Sequence, residues 1–147
     1  MEDNFLDSVF EFPSPPEELP QWALNQALEW RRLNEFDILC KAEEQTGLEV
    51  DIKYVALPYG VWGVHVIRGE RCRFIINWLL PLFWRRFALF HELHHLLYDT
   101  KGESFWRDNS FVSMSSFEKQ ADLFAWAAIW PDWEDAQTSD WGDATDF

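Results

Sequence analysis

The stretch RRFALFHELHHLLYD carries the residues best suited to chemistry. His91, Glu92 and His95 form an HExxH motif inside a segment whose apolar residues recur at helical spacing. Residues four apart on a helix share one face, about 5–6 Å apart at Cβ, so the two imidazoles can aim ring nitrogens at a single tetrahedral ion. Glu92 falls beside them in angle and can reach a water activated by that ion without ligating it. Such a water, its pKa lowered toward neutrality, attacks an amide carbonyl once the glutamate takes its proton. The motif therefore predicts metal-assisted peptide hydrolysis with Glu92 as general base.

A catalytic zinc site with three protein ligands needs one more donor. EKQADLFA offers Glu118, twenty-three positions after His95, far enough on for a loop and a returning helix to bring its carboxylate back. Asp122, one turn further, shares that face and is suited to accept the second N–H of a ligating histidine. The reverse assignment, Asp122 as ligand and Glu118 as its support, stays open at this point. Zinc is preferred over manganese, iron or cobalt because two imidazoles, one carboxylate and an open position suit it. His94 and His65 complete the histidines as possible cleft residues. His94 reads better as a supporting or surface residue than as a ligand, and His65 better as a strand side chain than as an oxyanion donor.

The elements that must position these groups are legible in outline. The proline-rich FPSPPEELP excludes a regular helix or central strand and predicts an extended lead-in over about residues 1–19, anchored by Phe5, Leu6, Val9, Phe10 and Phe12. From Pro20 to about Thr46 the apolar spacing predicts one long helix or two with a break near Asn34, with Gly47 at the C-cap. LEVDIKYVAL, VWGVHVI and RCRFIINW read as three short strands, the last two as a hairpin. Pro81 opens the motif helix over Leu82 to Tyr98; a second helix is expected from about Ser116 to Trp130, ended by Pro131, and the polar stretch between them as a loop.

Together these features resemble the ImmA/IrrE-type metallopeptidases over roughly Leu48 to Pro131. The likeness rests on Ile75, Ile76 and Asn77 at a strand end, on Arg85, Arg86 and Phe87 before HELHH, and on Glu118, Ala121, Asp122, Phe124, Ala125 and Pro131. It implies a minimal zincin, an α+β fold in which an antiparallel or mixed sheet of about three strands packs against the HExxH helix and a ligand-bearing helix, with an N-terminal helix besides. It also implies that Glu118 is the third ligand, and that the activity is regulated cytosolic proteolysis, commonly of a DNA-binding repressor. Two positions depart from the family pattern. His94 replaces a usual glycine and Asp122 a usual asparagine, and the bulky ring at 94 must either hold the helix off its neighbour or point into the cleft.

Charge narrows the partners. Of the formal net charge of −14, twelve negative charges lie in residues 1–20 and 132–147, which contain no Lys or Arg, leaving the middle near −2. Both ends read as solvated acidic segments, and clustered cations for phosphate contacts are absent, so direct nucleic-acid binding is not expected. The chain shows no signal-like or membrane-length apolar run, which predicts a cytoplasmic protein with a single domain over residues 1–147. Cys40 and Cys72 are read as small buried hydrophobes. One rival class remains: a retired zincin-fold binding module, with a structural metal closed by a fourth protein ligand. The enzyme should instead offer an edge strand, VWGVHVI or RCRFIINW, to an extended peptide or protein substrate.

Overall fold

A computed structural model describes residues 11–58, 60–98 and 116–146. Four helices and a three-stranded mixed sheet make up the described residues: α1 (Gln21–Ala27), α2 (Glu35–Thr46), β1 (Glu49–Val55), β2 (Gly63–Arg68), β3 (Arg71–Asn77), α3 (Leu82–Tyr98) and α4 (Ser116–Asp146). This is a small α+β fold of the zincin type. Phe5, Leu6, Val9, Phe10 and the segment 99–115 lie outside the described residues.

The helical region after Pro20 is broken rather than continuous. Trp30 and Leu33 lie in the turn between helices, where Arg32 takes a positive φ of 63°. The side chain of Asn34 then accepts the Asp37 N–H at 2.8 Å and starts α2, and Gly47, at φ 76°, ends it in the left-handed conformation.

The sheet order is β1-β3-β2, with β1 parallel and β2 antiparallel to β3. β3 is thus paired on both sides, so of the two strands expected to offer an edge only VWGVHVI has one; RCRFIINW is central. Alternation sends Val50, His65, Cys72, Phe74 and Ile76 inward, while Glu49, Asp51, Arg71 and Arg73 face out. The outward charges meet across the β1/β3 register as Glu49–Arg71 and Asp51–Arg73 pairs at 2.7 and 2.9 Å. Being exposed, they secure register more than stability.

Cysteine is the first point of correction. Cys72 is buried as expected, but Cys40 is exposed on α2. Burial, helped by the negative charges of Glu92 and Asp51, pushes the Cys72 thiol up to about 12. A thiol-reactive dye in mildly alkaline buffer is therefore expected to label Cys40 quickly and Cys72 only after unfolding. Two fast thiols in the native protein would contradict the packing of β3 against α3.

The second correction concerns the end of the chain. Pro131 does not stop the last helix but lies inside α4, which runs on to Asp146. A proline lacks the N–H that would bond the carbonyl four residues earlier. That carbonyl, on Ala127, instead accepts Arg31 Nε at 2.8 Å, so a side chain from the α1–α2 turn fills the gap in the ladder. Asp132 pairs with Arg86 of α3 at 2.6 Å and Asp135 with Arg32 at 3.0 Å. Trp133 packs edge-on to Trp126 and against Phe83. It joins an aromatic cluster of Trp62, Trp84 and Phe87, on which Phe12 of the lead-in stacks with a 5.1 Å centroid separation from Trp84.

Truncation after Asp132 is accordingly expected to lower the melting temperature by about 5 °C or more. It removes a half-buried tryptophan worth on the order of 1–2 kcal/mol in area and ring contacts. Truncation after Thr138 is expected to leave it near the full-length value, because the contacts just described all lie before that point. Equal melting temperatures for the two truncations would show that Trp133 contributes nothing.

Candidate metal centre

Helix α3 is buried on every side between Phe87 and Leu96, because the sheet, α2 and α4 pack on it and Trp22 and Gln26 of α1 reach it with their side chains. Its start is held by Arg85, whose Nε and guanidinium N–H groups donate to the Leu80 and Trp78 carbonyls at 2.7 and 2.6 Å. Just before that turn, Asn77 is buried at the end of β3. Its side chain donates to the Val61 carbonyl at 2.8 Å and accepts the Leu79 N–H at 3.1 Å, tying the approach to β2 to the approach to α3.

Angles around α3 then distribute the motif. At about 100° per residue, His95 lies about 40° from His91, Glu92 about 100° to one side and His94 about 60° to the other. His91 and His95 face α4, Glu92 faces β2, and His94 faces α1. The ring of His94 packs against Phe124, Tyr98 and Trp22, with Nε2 3.3 Å from Gln26 Oε1. Of the two places open to it, the ring takes the one away from the cleft: the angle that puts Glu92 toward the sheet turns residue 94 away from it.

The remaining residues converge. Glu118 Oε1 lies 2.7 Å from His91 Nε2 and 2.8 Å from His95 Nε2, and the two nitrogens are 3.2 Å apart. These three side chains alone form a potential metal-ligating group among the described residues; Asp122, Glu92, His65 and His94 stand outside it. Asp122 Oδ1 instead lies 2.9 Å from His91 Nδ1. Both histidines are about 1% exposed, whereas Glu118 and Asp122 keep 19% and 15%, so the centre opens on the α4 side.

Protons decide whether a cation fits here. A carboxylate only accepts, so Asp122 requires the proton of His91 on Nδ1. The neutral ring then turns a bare lone pair at Nε2 toward a Glu118 oxygen 2.7 Å away, acceptor against acceptor. Positive charge between them is needed, either a further proton or a metal ion. In the protonated case burial would raise the Glu118 carboxyl, but hydrogen bonds and charge from His91 and His95 outweigh it and hold it at about 2. Donor atoms about 2.0–2.2 Å from a tetrahedral zinc lie roughly 3.3–3.6 Å apart, so the two nitrogens, 3.2 Å apart, already fit and the Glu118 oxygen must draw back by about half an ångström or slightly more.

On the other flank, Glu92 is fully buried and its Oε1 lies 2.8 Å from Nδ1 of His65, which projects from the inner face of β2. Its Oε2 has no hydrogen-bond partner among the described residues. Gly63, two residues before His65 on the same face, makes room: a Cβ there would come 2.9 Å from Ile76 Cδ1 and 3.7 Å from Glu92 Cγ. Neither the His65–Glu92 pairing nor the role of Gly63 is legible in the sequence. Strand alternation places both residues on one face but cannot say which helix side chain meets them.

The family model described as Peptidase_M78, IrrE N-terminal-like domain, matches residues 49–134, a span that includes all three strands, α3 and the first part of α4. No curated protein matches the chain.

Proposed function

The chain belongs to the IrrE N-terminal-like peptidase family, and from that premise we propose that it is a zinc-dependent endopeptidase with His91, His95 and Glu118 as ligands and Glu92 as general base. The observation that carries this reading is the acceptor-against-acceptor contact of His91 Nε2 and Glu118 Oε1, with His91 Nδ1 committed to Asp122. Such a contact needs positive charge between the two atoms, which a zinc ion shared with His95 would supply. When bound, zinc would lower the pKa of a water and polarise the scissile carbonyl.

The chain's own residues do the rest. Asp122 holds the His91 ring in the Nδ1–H tautomer and so presents Nε2 as a donor atom. Glu92 keeps one carboxylate oxygen occupied by His65 and the other without a partner among the described residues, and Oε2 is the atom that takes the proton of the attacking water. Returned to the departing amine, that proton completes the hydrolysis. Among the described residues β2 forms an edge of the sheet, suited to pair with an extended segment of a protein substrate. The family resemblance points to a cytosolic regulatory protein, such as a repressor, as that substrate. No described helix is long and apolar enough to cross a membrane.

Hydrolysis of fluorescein-labelled casein by the zinc-loaded protein, and its loss in Glu92→Gln, tests the proposal. A binding module with a structural metal would leave the casein intact in both.

A further inference from the structure

A buried glutamate that serves as a base must be aimed, because either of its oxygens and several rotamers can meet the water. We infer that His65 is the positioning residue of Glu92: its Nδ1–H holds Oε1 and thereby dedicates Oε2 to proton transfer. The inference rests on the reading of Glu92 as the base.

Three observations carry it. The Nδ1 to Oε1 distance is 2.8 Å, and the two side chains are 1% and 0% exposed, so the bond forms in a dry setting where it is strong and directional. The other atom of each pair member, His65 Nε2 and Glu92 Oε2, is buried without a hydrogen-bond partner among the described residues, so neither group has a competing interaction that would turn it. Gly63 lacks the Cβ that would press on Ile76 Cδ1 and the Ile75 carbonyl, at 2.9 and 3.2 Å, and that would lie in ordinary contact with Glu92 Cγ at 3.7 Å, so β2 sits close to β3 and directly against the glutamate. A strand residue thus supplies the donor, and the glycine two positions before it lets β2 lie close against β3.

The ring is also held. It lies edge-on to Phe74, its neighbour across the β2/β3 register, and nearly parallel to His95 at a centroid distance of 6.2 Å. With Glu92 as the carboxylate that a general base must be, it accepts from Nδ1 and the ring carries its proton there. That leaves a lone-pair nitrogen, and not an N–H, buried without a partner, which is the cheaper arrangement. Isolated neutral imidazole side chains favour the opposite tautomer, so the Nδ1–H form is a signature of the pairing.

The test combines a spectroscopic and a kinetic readout on the full chain. In the long-range proton–nitrogen NMR spectrum of isotope-labelled protein, His65 is expected as the Nδ1–H tautomer; a proton on Nε2 would overturn the inference. In zinc-loaded protein with labelled casein as substrate, His65→Leu is expected to lower kcat by about 10–100-fold with KM within about twofold and zinc content unchanged. His65→Asn places a side-chain N–H near the position of Nδ1 and is expected to recover most of the loss. Equal kcat for His65→Leu and wild type, or an Asn variant no better than Leu at equal melting temperature, would overturn it. Full activity in Glu92→Gln would sink the general-base reading instead, and intact casein with wild type the peptidase reading; in either case the tautomer decides the pairing by itself.

Discussion

Replacing Glu92 by glutamine is expected to lower kcat on a cleaved substrate by roughly 10²–10⁴-fold, the usual contribution of a positioned general base, while zinc content stays at the wild-type level. The amide keeps the shape of the carboxylate, and its oxygen can still accept from His65 Nδ1, so the fully buried side chain remains in place. What changes is the second atom. Where Oε2 could take a proton, the amide presents an NH₂ group that cannot. Glu92 is not among the side chains that could ligate an ion, so metal content should not respond to the substitution. Equal turnover by Glu92→Gln and wild type would remove Glu92 from the mechanism. Loss of zinc in the variant would show that residue 92 supports the ion after all.

The converse result is expected for the ligands. His91→Ala, His95→Ala and Glu118→Ala should each empty the centre, measured as metal content by mass spectrometry after dialysis, because three protein donors are the minimum for a tightly held catalytic zinc. Glu118 is the atom source on which both imidazoles converge, at 2.7 and 2.8 Å, so its removal leaves two nitrogens 3.2 Å apart with no anion to balance the ion. Asp122→Ala should act more weakly, by about 10–100-fold in metal affinity, since it touches only the far nitrogen of His91. A full site in Glu118→Ala beside an empty one in Asp122→Ala would reverse the roles of the two acids. The melting temperature gives a second readout: zinc added in excess should raise it for wild type and Glu92→Gln but not for the ligand variants.

The local logic of the centre was legible in the chain. HExxH on a helix sets His91 and His95 on one face and Glu92 beside them whatever surrounds the helix, because the angles follow from helical geometry alone. Glu118 and Asp122, four apart on a following helix, share a face for the same reason, and the break at Asn34 and the cap at Gly47 are readable because they are local backbone chemistry. Those features depend only on residues within a turn or two of each other.

Which neighbour fills each sector around α3 was decided by tertiary structure. Nothing within a turn of His65 indicates that it meets Glu92, twenty-seven positions on, and nothing near His94 indicates that Gln26 and Phe124 enclose it. The helix continues through Pro131 with Arg31, ninety-six residues before Ala127, donating to the Ala127 carbonyl that proline leaves vacant. β3 became central, and VWGVHVI the edge, through the parallel pairing of β1 across the hairpin. In each case the partner comes from a segment remote in sequence. Helix and strand periodicity sets the direction in which a side chain points, and only the packing of those segments sets what it meets there.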